Sequence, residues 1–158
     1  IGTLFNGAPD LVCALRKALA ENADLRRQAE EHMQQKIAAM AAELLAKAKV
    51  VNGITTVVVR GTMPADVVKG IAFAVRAASP EHTALIGATA DTSGKPLLTV
   101  MLTDDVTRAG LNASAMVREA AKAIKGGGGG QPGFAQAGGK DADGISAAAD
   151  LLLAALAK

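Results

Sequence analysis

Residues between Pro9 and Lys49 carry apolar side chains at the spacing of one long helix. Steps of four and three residues, the spacing of a coiled-coil seam, join its apolar positions. In the first half these positions are Leu11, Leu15, Ala18, Asn22, Leu25 and Ala29. Met33, Ile37, Met40 and Leu44 continue the series after two successive steps of four, a stutter that locally unwinds a supercoil. A helix of about 40 residues is roughly 60 Å long, so part of it is expected to project from a small domain and meet a partner.

Asn22 is a polar residue on this seam and leaves two interpretations open. A buried Asn can fix the register and the number of partners in a coiled coil, at some loss of stability. Alternatively, the helix packs within the chain and Asn22 is half exposed. Under the first interpretation Leu11, Leu15, Asn22 and Leu25 pack in a homodimer.

After Val50 the spacing of apolar residues changes, which predicts a small α/β domain. The segment Ile54 to Arg60 is β-branched and reads as a buried strand. "PADVVKGIAFAVRAASP" then predicts a helix bounded by prolines. Its wide apolar face is formed by Val67, Val68, Ile71, Phe73 and Val75. "DTSGK" between two apolar runs predicts a hairpin.

The remaining segments complete the predicted domain. "NASAMVREAAKAIK" reads as a helix capped by Asn112 or Ser114. A glycine stretch, a short strand at Phe134 to Ala137 and a final helix from about Ile145 follow. The prediction is therefore a helical subdomain over residues 1–50 and an α/β domain over residues 51–158. A β-α-β crossover predicts a mixed sheet flanked by helices in this second domain.

Composition narrows the possible functions only slightly. The 158 residues suffice for one domain plus an extra element, with 50% hydrophobic and 2% aromatic residues. A net charge of +2 neither demands nor excludes a polyanionic partner. The single cysteine excludes an intrachain disulfide, and no stretch is apolar enough to predict a membrane partner. The first residue is Ile1 rather than Met, so the chain is expected to be part of a longer protein.

Familiar catalytic patterns are not found in the sequence. Gln131 and Pro132 follow the last glycine of the run where a phosphate-binding loop needs Lys and then Ser or Thr. His32 and His82 stand far apart and read as solvated side chains. Asp104 and Asp105 read as caps of the following segment, and "DADG" at Asp141 to Gly144 as a turn and cap. No catalytic residue and no metal site is therefore predicted.

Aromatic side chains are scarce, which bears on nucleic-acid binding. They are Phe5, Phe73 and Phe134, and Phe73 is assigned to a helix core. Stacking of splayed bases is therefore not expected. RNA would instead be bound through Lys and Arg, through its shape and through exposed glycine peptide planes.

The stretch from Thr99 to Leu156 resembles the C-terminal domain of bacterial alanyl-tRNA synthetases. That family has an apolar strand, a helix, a polyglycine run, a Pro, the sequence Ala-Gln-Ala-Gly-Gly and a closing helix. The matching positions here are Gly126 to Gly130, Pro132, Phe134, Ala135, Gln136, Ala137, Gly138 and Gly139. The preceding long helix is similar to the helical subdomain of the same family.

The resemblance implies a non-catalytic module that binds the outer corner of alanine tRNA and brings aminoacylation and editing to one tRNA. It also implies dimerisation in some members, a cytoplasmic location, and neighbouring aminoacylation and editing domains in the same chain. ATP, Mg²⁺ and Zn²⁺ are then expected only in those other domains. The glycines are expected to form a compact surface loop. The implied RNA-binding residues are Arg118, Lys122, Lys125, Gly126, Gly127, Gly128, Gly129, Gly130, Gln131 and Lys140.

Two alternatives remain open at this point. The chain could serve only for oligomerisation, with the globular part as a cap on the helix. It also resembles the substrate-binding domain of DHH phosphoesterases. Those enzymes commonly carry a His in the glycine segment, where this sequence has Gln131 and no His, so the synthetase resemblance is favoured.

Overall fold

A computed structural model of the protein describes residues 11–158. The predicted helix start at Pro9 and Asp10 lies outside these residues, as does Phe5. In chain order the elements are α1 Leu11–Ala46, β1 Lys49–Val51, β2 Ile54–Thr62, α2 Ala65–Ala78, β3 Thr83–Ala90, β4 Pro96–Leu102, α3 Asp104–Arg108, α4 Ala113–Ala121, β5 Gly127–Gln131, β6 Phe134–Gly138, a short 3-10 helix Ala142–Gly144, and α5 Ile145–Ala157. This order confirms the prediction of a long helix followed by an α/β domain.

The chain divides into two compact units, one ending at Lys36 and the other spanning Ile37–Lys158. In the first unit, residues 11–36 are all helical and none of their side chains is buried. The second unit contains the last turns of α1 together with all the strands and the remaining helices. The division predicted from the sequence lies at residue 50.

The second unit is built on a six-stranded sheet with the order β1-β2-β3-β4-β6-β5. Strands β2 and β3 are parallel and joined by α2, while the other neighbouring pairs are antiparallel. This arrangement confirms the predicted crossover and mixed sheet. It places β1 and β5 at opposite edges.

Each face of the sheet has its own apolar core. Alternate residues of β3 and β4, such as Ile86 and Val100, pack with α4 and α5 on one face. Leu85 and Met101 point to the other face, where they pack with α2 and with Ala41 of α1. Successive side chains of a strand point to opposite faces, so β3 and β4, buried on both sides, read as continuous apolar runs.

Strand β1 is absent from the prediction, which extended the helical pattern to Lys49. The helix ends at Ala46, and Lys49 begins a strand whose partner residue on β2 is Thr56. Asn52 and Gly53 link the two strands with φ values of 53° and 80°. Positive φ at both positions is the geometry of a type I′ hairpin turn, which Asn-Gly favours strongly. The Asn-Gly pair therefore decided the structure of residues 49–53 against the helical pattern.

The assignment of Asp104 and Asp105 as helix caps is wrong. Thr103 occupies the N-cap position of α3 and the two aspartates lie in its first turn. Asp104 accepts a hydrogen bond from Nη2 of Arg76 at 2.7 Å. Asp105 accepts one from the backbone amide of His82 at 2.8 Å. Both carboxylates thus link α3 to the α2–β3 region, which is distant in sequence.

Other local predictions are confirmed. Asn112 caps α4 by accepting hydrogen bonds from two backbone amides of its first turn. The "DTSGK" hairpin forms, with the carboxylate of Asp91 accepting from the amides of Ser93 and Lys95. Asp141 caps the 3-10 helix that precedes α5. In each case the signal and its partner lie within four residues of each other.

Candidate functional site

The glycine run forms an edge strand, so the prediction of a surface loop is wrong. Gly127 to Gln131 make up β5, which pairs antiparallel with β6 in the register Gly128 to Ala137. Cβ atoms at Gly126, Gly128 and Gly130 would overlap backbone atoms of the segment Phe134–Gly139. Only glycine lets the two backbones approach this closely. Packing against β6 therefore explains every second glycine of the run.

Gly127 and Gly129 are not explained by that contact. A Cβ at Gly127 would have no atom within 4 Å, and one at Gly129 would lie 3.6 Å from Nε of Arg118. Gly127 is exposed and Gly129 is partly buried. At Gly127 an exposed stretch of backbone is thus free of side chains although the fold has room for one.

The predicted cations lie on α4, at its C-terminus, and in the segments just before β5 and just after β6. Arg118 points toward Gly129, and Lys122 follows as the C-cap of α4. Lys125 and Lys140 meet at one turn, where the amide of Lys140 donates to the carbonyl of Ile124. All four side chains are exposed, so the structure brings the predicted group together around the glycine strand.

Lys125 is held by an ion pair beside the strand. Its Nζ lies 3.1 Å from Oδ2 of Asp141, and this hydrogen bond and the charge of Lys125 lower the pKa of Asp141. The backbone of Lys125 has a φ of 48°, a left-handed conformation that is uncommon outside glycine. Lys125 therefore has a defined position, but part of its charge is already balanced.

The interpretation of Phe73 as a core residue is wrong. Its side chain is 47% exposed, and its ring stacks on Phe134 with centroids 5.4 Å apart and 17° between the planes. The buried stripe of α2 is formed instead by Val68, Ile71, Ala72 and Val75. These residues follow the i, i+3, i+4, i+7 spacing of one helix face, and Phe73 lies beside that face.

A groove lies between α2 and the glycine strand. Its lining residues are Lys69, Phe73, Arg76, Asp104, Thr107, Gly129, Gly130, Gln131, Pro132, Gly133, Phe134 and Gln136. Within it, Nε2 of Gln136 donates to Oγ1 of Thr99 at 3.1 Å. The local sequence patterns did not predict this surface, although Lys69, Phe73 and Arg76 stand at i, i+4 and i+7. That spacing indicates a second, mixed stripe on α2.

The predicted packing positions on α1 are exposed. Leu11, Leu15 and Leu25 are 41%, 47% and 65% exposed, and Asn22 is exposed as well. Half-exposed leucines at seam spacing are what an unpaired coiled-coil helix presents.

Metal sites and membrane-spanning helices are two further features that residues 11–158 could contain. Within that range no three His, Cys, Asp or Glu side chains are grouped so that they could hold a metal ion. None of the helices described there is both long and apolar enough to cross a membrane.

Comparison with known proteins places this arrangement in a family. Residues 51–158 match the DHHA1 domain family, and the chain belongs to that family. It is 46% identical to the alanine–tRNA ligase of Bacteroides thetaiotaomicron over 151 residues, which are 96% of this chain and 17% of that protein. It is 48% identical to the ligase of Bacteroides fragilis strain YCH46 over 150 residues, 95% of this chain and again 17% of that protein. The chain thus spans about a sixth of the length of these relatives.

Solved structures share the fold. The C-Ala domain of Aquifex aeolicus alanyl-tRNA synthetase superposes with a TM-score of 0.62 at 24% identity, covering 70% of this chain and 98% of that domain. A DHH-domain protein described as a member of the s1p family of ribosomal proteins gives a TM-score of 0.60 at 12% identity, over 86% of this chain and 33% of that protein. Together with the ligase relatives, the first of these confirms the resemblance to the C-terminal domain of alanyl-tRNA synthetase.

Proposed function

We propose that this chain is the non-catalytic tRNA-binding module of an alanine–tRNA ligase. It would bind the outer corner of alanine tRNA and hold one tRNA for both aminoacylation and editing by other domains of the same protein. The relatives support this class of function by their names. The structural observation that carries the proposal is the exposed backbone at Gly127, which the packing of the domain does not require.

A backbone without side chains suits RNA for a physical reason. A flat peptide surface can approach a base-pair plane or a sugar edge closely, and its amides can donate to phosphate oxygens. Arg118, Lys122, Lys125 and Lys140 surround the strand and would meet the phosphates that flank such a contact. Lys125 would exchange its ion pair with Asp141 for a phosphate.

The test is a titration of labelled full-length alanine tRNA with this chain at several salt concentrations. The variant Lys125→Gln/Lys140→Gln removes two charges without adding a carboxylate next to Asp141. Lys49→Gln serves as the matched control, because Lys49 lies on β1 at the opposite edge of the sheet. Each lost phosphate contact lowers the slope of log affinity against log salt by roughly 0.7 to 0.9.

We expect the double variant to bind more weakly, with a slope reduced by about 1.5, while Lys49→Gln binds like the unaltered chain. If the unaltered chain fails to bind alanine tRNA even at low salt, the proposed function is wrong. Equal effects of the double variant and Lys49→Gln would instead show that the charge effect is not specific to the glycine strand.

A second role is favoured by the exposed leucines of α1. We infer that this helix also forms a homodimer through Leu11, Leu15, Asn22 and Leu25, whose apolar members are 41% to 65% exposed. Burying a leucine side chain that is half exposed contributes on the order of 1 kcal/mol, so several such contacts in each helix can sustain a dimer.

Under the proposed role, aminoacylation and editing would be catalysed by other parts of the ligase. ATP and Mg²⁺ would serve aminoacylation and Zn²⁺ would serve editing in those parts. The module would then act in the cytoplasm, where tRNA is charged.

A further inference from the structure

We propose that the groove between α2 and the glycine strand is a second RNA-contacting surface, in which an exposed base plane of the tRNA stacks on Phe73 while Lys69 and Arg76 meet phosphates. The inference rests on the proposed function and adds contacts on the other side of β5 from Arg118. It also reverses the expectation that this protein binds RNA without base stacking.

Phe73 has the position and support that a stacking platform needs. Its side chain is 47% exposed although α2 buries a separate apolar stripe. The ring is held by its stack on Phe134, so little freedom remains to be lost when a base binds. Nζ of Lys69 lies 6.0 Å from the ring centroid, at the outer limit of a cation–π contact, and the lysine can swing toward a phosphate at little cost.

The charges around the ring favour an anionic ligand. Lys69 and Arg76 line the groove, and Asp104 is the acidic residue that lines it. Asp104 is 69% exposed and its Oδ1 lies 2.7 Å from Nη2 of Arg76. A phosphate that enters beside Arg76 can replace this exposed carboxylate, because surface ion pairs contribute little.

The glycine strand makes the groove continuous with the proposed RNA surface. Gly129 and Gly130 line the groove on the α2 side, while Arg118 lies on the α4 side of Gly129. Because β5 carries no side chains at its glycines, only its backbone separates the groove from Arg118. Cations on both sides of the strand can therefore reach the same stretch of RNA backbone. Stacked rings, two cations and exposed peptide groups favour RNA over a protein segment, which would need a more apolar groove.

The test compares Phe73→Leu with Phe73→Tyr in titrations of alanine tRNA. Leucine removes the aromatic plane at similar volume, whereas tyrosine keeps it. Removing the aromatic ring on which one base stacks weakens binding by about 5-fold to 100-fold. We expect Phe73→Leu to fall in that range without a change in salt slope, and Phe73→Tyr to stay within about 3-fold of the unaltered chain.

Lys69→Gln gives a second and independent measurement. It should reduce the salt slope by about 1, while Lys49→Gln on the opposite edge leaves it unchanged. A minihelix of the alanine acceptor stem that lacks the outer corner should bind weakly and equally to the unaltered chain and to Phe73→Leu. Melting temperatures of all variants are measured first, and the exposure of Phe73 predicts only small changes.

The outcomes separate this inference from the proposed function. If tRNA binding depends on Lys125 and Lys140 but is unaffected by Phe73→Leu and Lys69→Gln, the proposed function stands and the inference is wrong, with a protein partner left as the occupant of the groove. If the unaltered chain does not bind tRNA at low salt, both are wrong. A loss on Phe73→Leu that Phe73→Tyr does not reproduce supports the stacking contact.

Discussion

Replacing Gly128 by alanine tests why the run consists of glycine. A Cβ at Gly128 would lie 2.5 Å from Cβ of Ala137 and would overlap the Cα of Ala137 and the carbonyl oxygen of Gln136. Ordinary carbon contacts are about 3.5 to 4.0 Å, so β5 and β6 must separate by roughly 1 Å to accept the methyl group. Gly127→Ala is the matched control, because a Cβ there has no atom within 4 Å.

The expected magnitude follows from the contacts that must open. A separation of roughly 1 Å weakens the β5–β6 ladder around Gly128, and losing about two hydrogen bonds at about 1 kcal/mol each costs about 2 kcal/mol. Overpacking strain of about 1 kcal/mol adds to this. The loss of unfolded-chain entropy on replacing glycine by alanine offsets about 0.4 to 1 kcal/mol. The net destabilisation is therefore about 2 kcal/mol for Gly128→Ala, whereas Gly127→Ala is neutral or slightly stabilising.

The assay is urea denaturation of both variants and the unaltered chain, followed by far-UV circular dichroism. Gly128→Ala and Gly127→Ala should differ by about 2 to 3 kcal/mol in the free energy of unfolding, because the second variant is neutral or slightly stabilised. This difference corresponds to roughly 6 to 10 °C in melting temperature for a chain of this size. If Gly128→Ala and Gly127→Ala agree within about 0.5 kcal/mol, close packing against β6 is not the reason for glycine at that position.

Three further predictions concern other parts of the molecule. Asn112→Ala should lower the free energy of unfolding by about 1 kcal/mol, because its side chain caps α4; no change in urea denaturation would contradict the capping role. The Thr103 hydroxyl, helped by the amide of residue 82, lowers the pKa of Asp105 from an ordinary 3.8 to about 2. A lowered folded-state pKa stabilises the fold above pH 3.8, and that stability is lost as the pH falls to about 2. Asp105→Asn should therefore be less stable than the unaltered chain at pH 7 by about 1 kcal/mol after allowance for solvent screening, and this difference should shrink toward zero as the pH falls through about 2; a difference as large at pH 2 as at pH 7 would rule out this linkage. Leu15→Asp or Leu25→Asp should convert a dimer to a monomer in analytical ultracentrifugation, and an unaltered chain that is already monomeric would contradict dimerisation.

The sequence carried much of the information on local structure because its signals act over a few residues. The cap at Asn112 and the turn at Asp91 each depend on amides within four positions. The apolar spacing of α2 and the apolar runs of β3 and β4 likewise follow from the period of a helix or strand. The sequence also groups the predicted cations with the glycine run, because the four of them lie within 23 residues of one another.

Tertiary packing determined the features that local sequence patterns do not determine. The glycine run reads as a loop by propensity, and Gly127 to Gly130 form a strand only because β6 offers a backbone close enough to pair with them. Phe73 reads as core by its apolar character, and it is exposed because Val68, Ile71, Ala72 and Val75 already fill the contact of α2 with the sheet. Its partner Phe134 is 61 positions away in sequence. The groove that these rings line therefore exists only once α2 packs on the face of the sheet where the side chain of Phe134 lies.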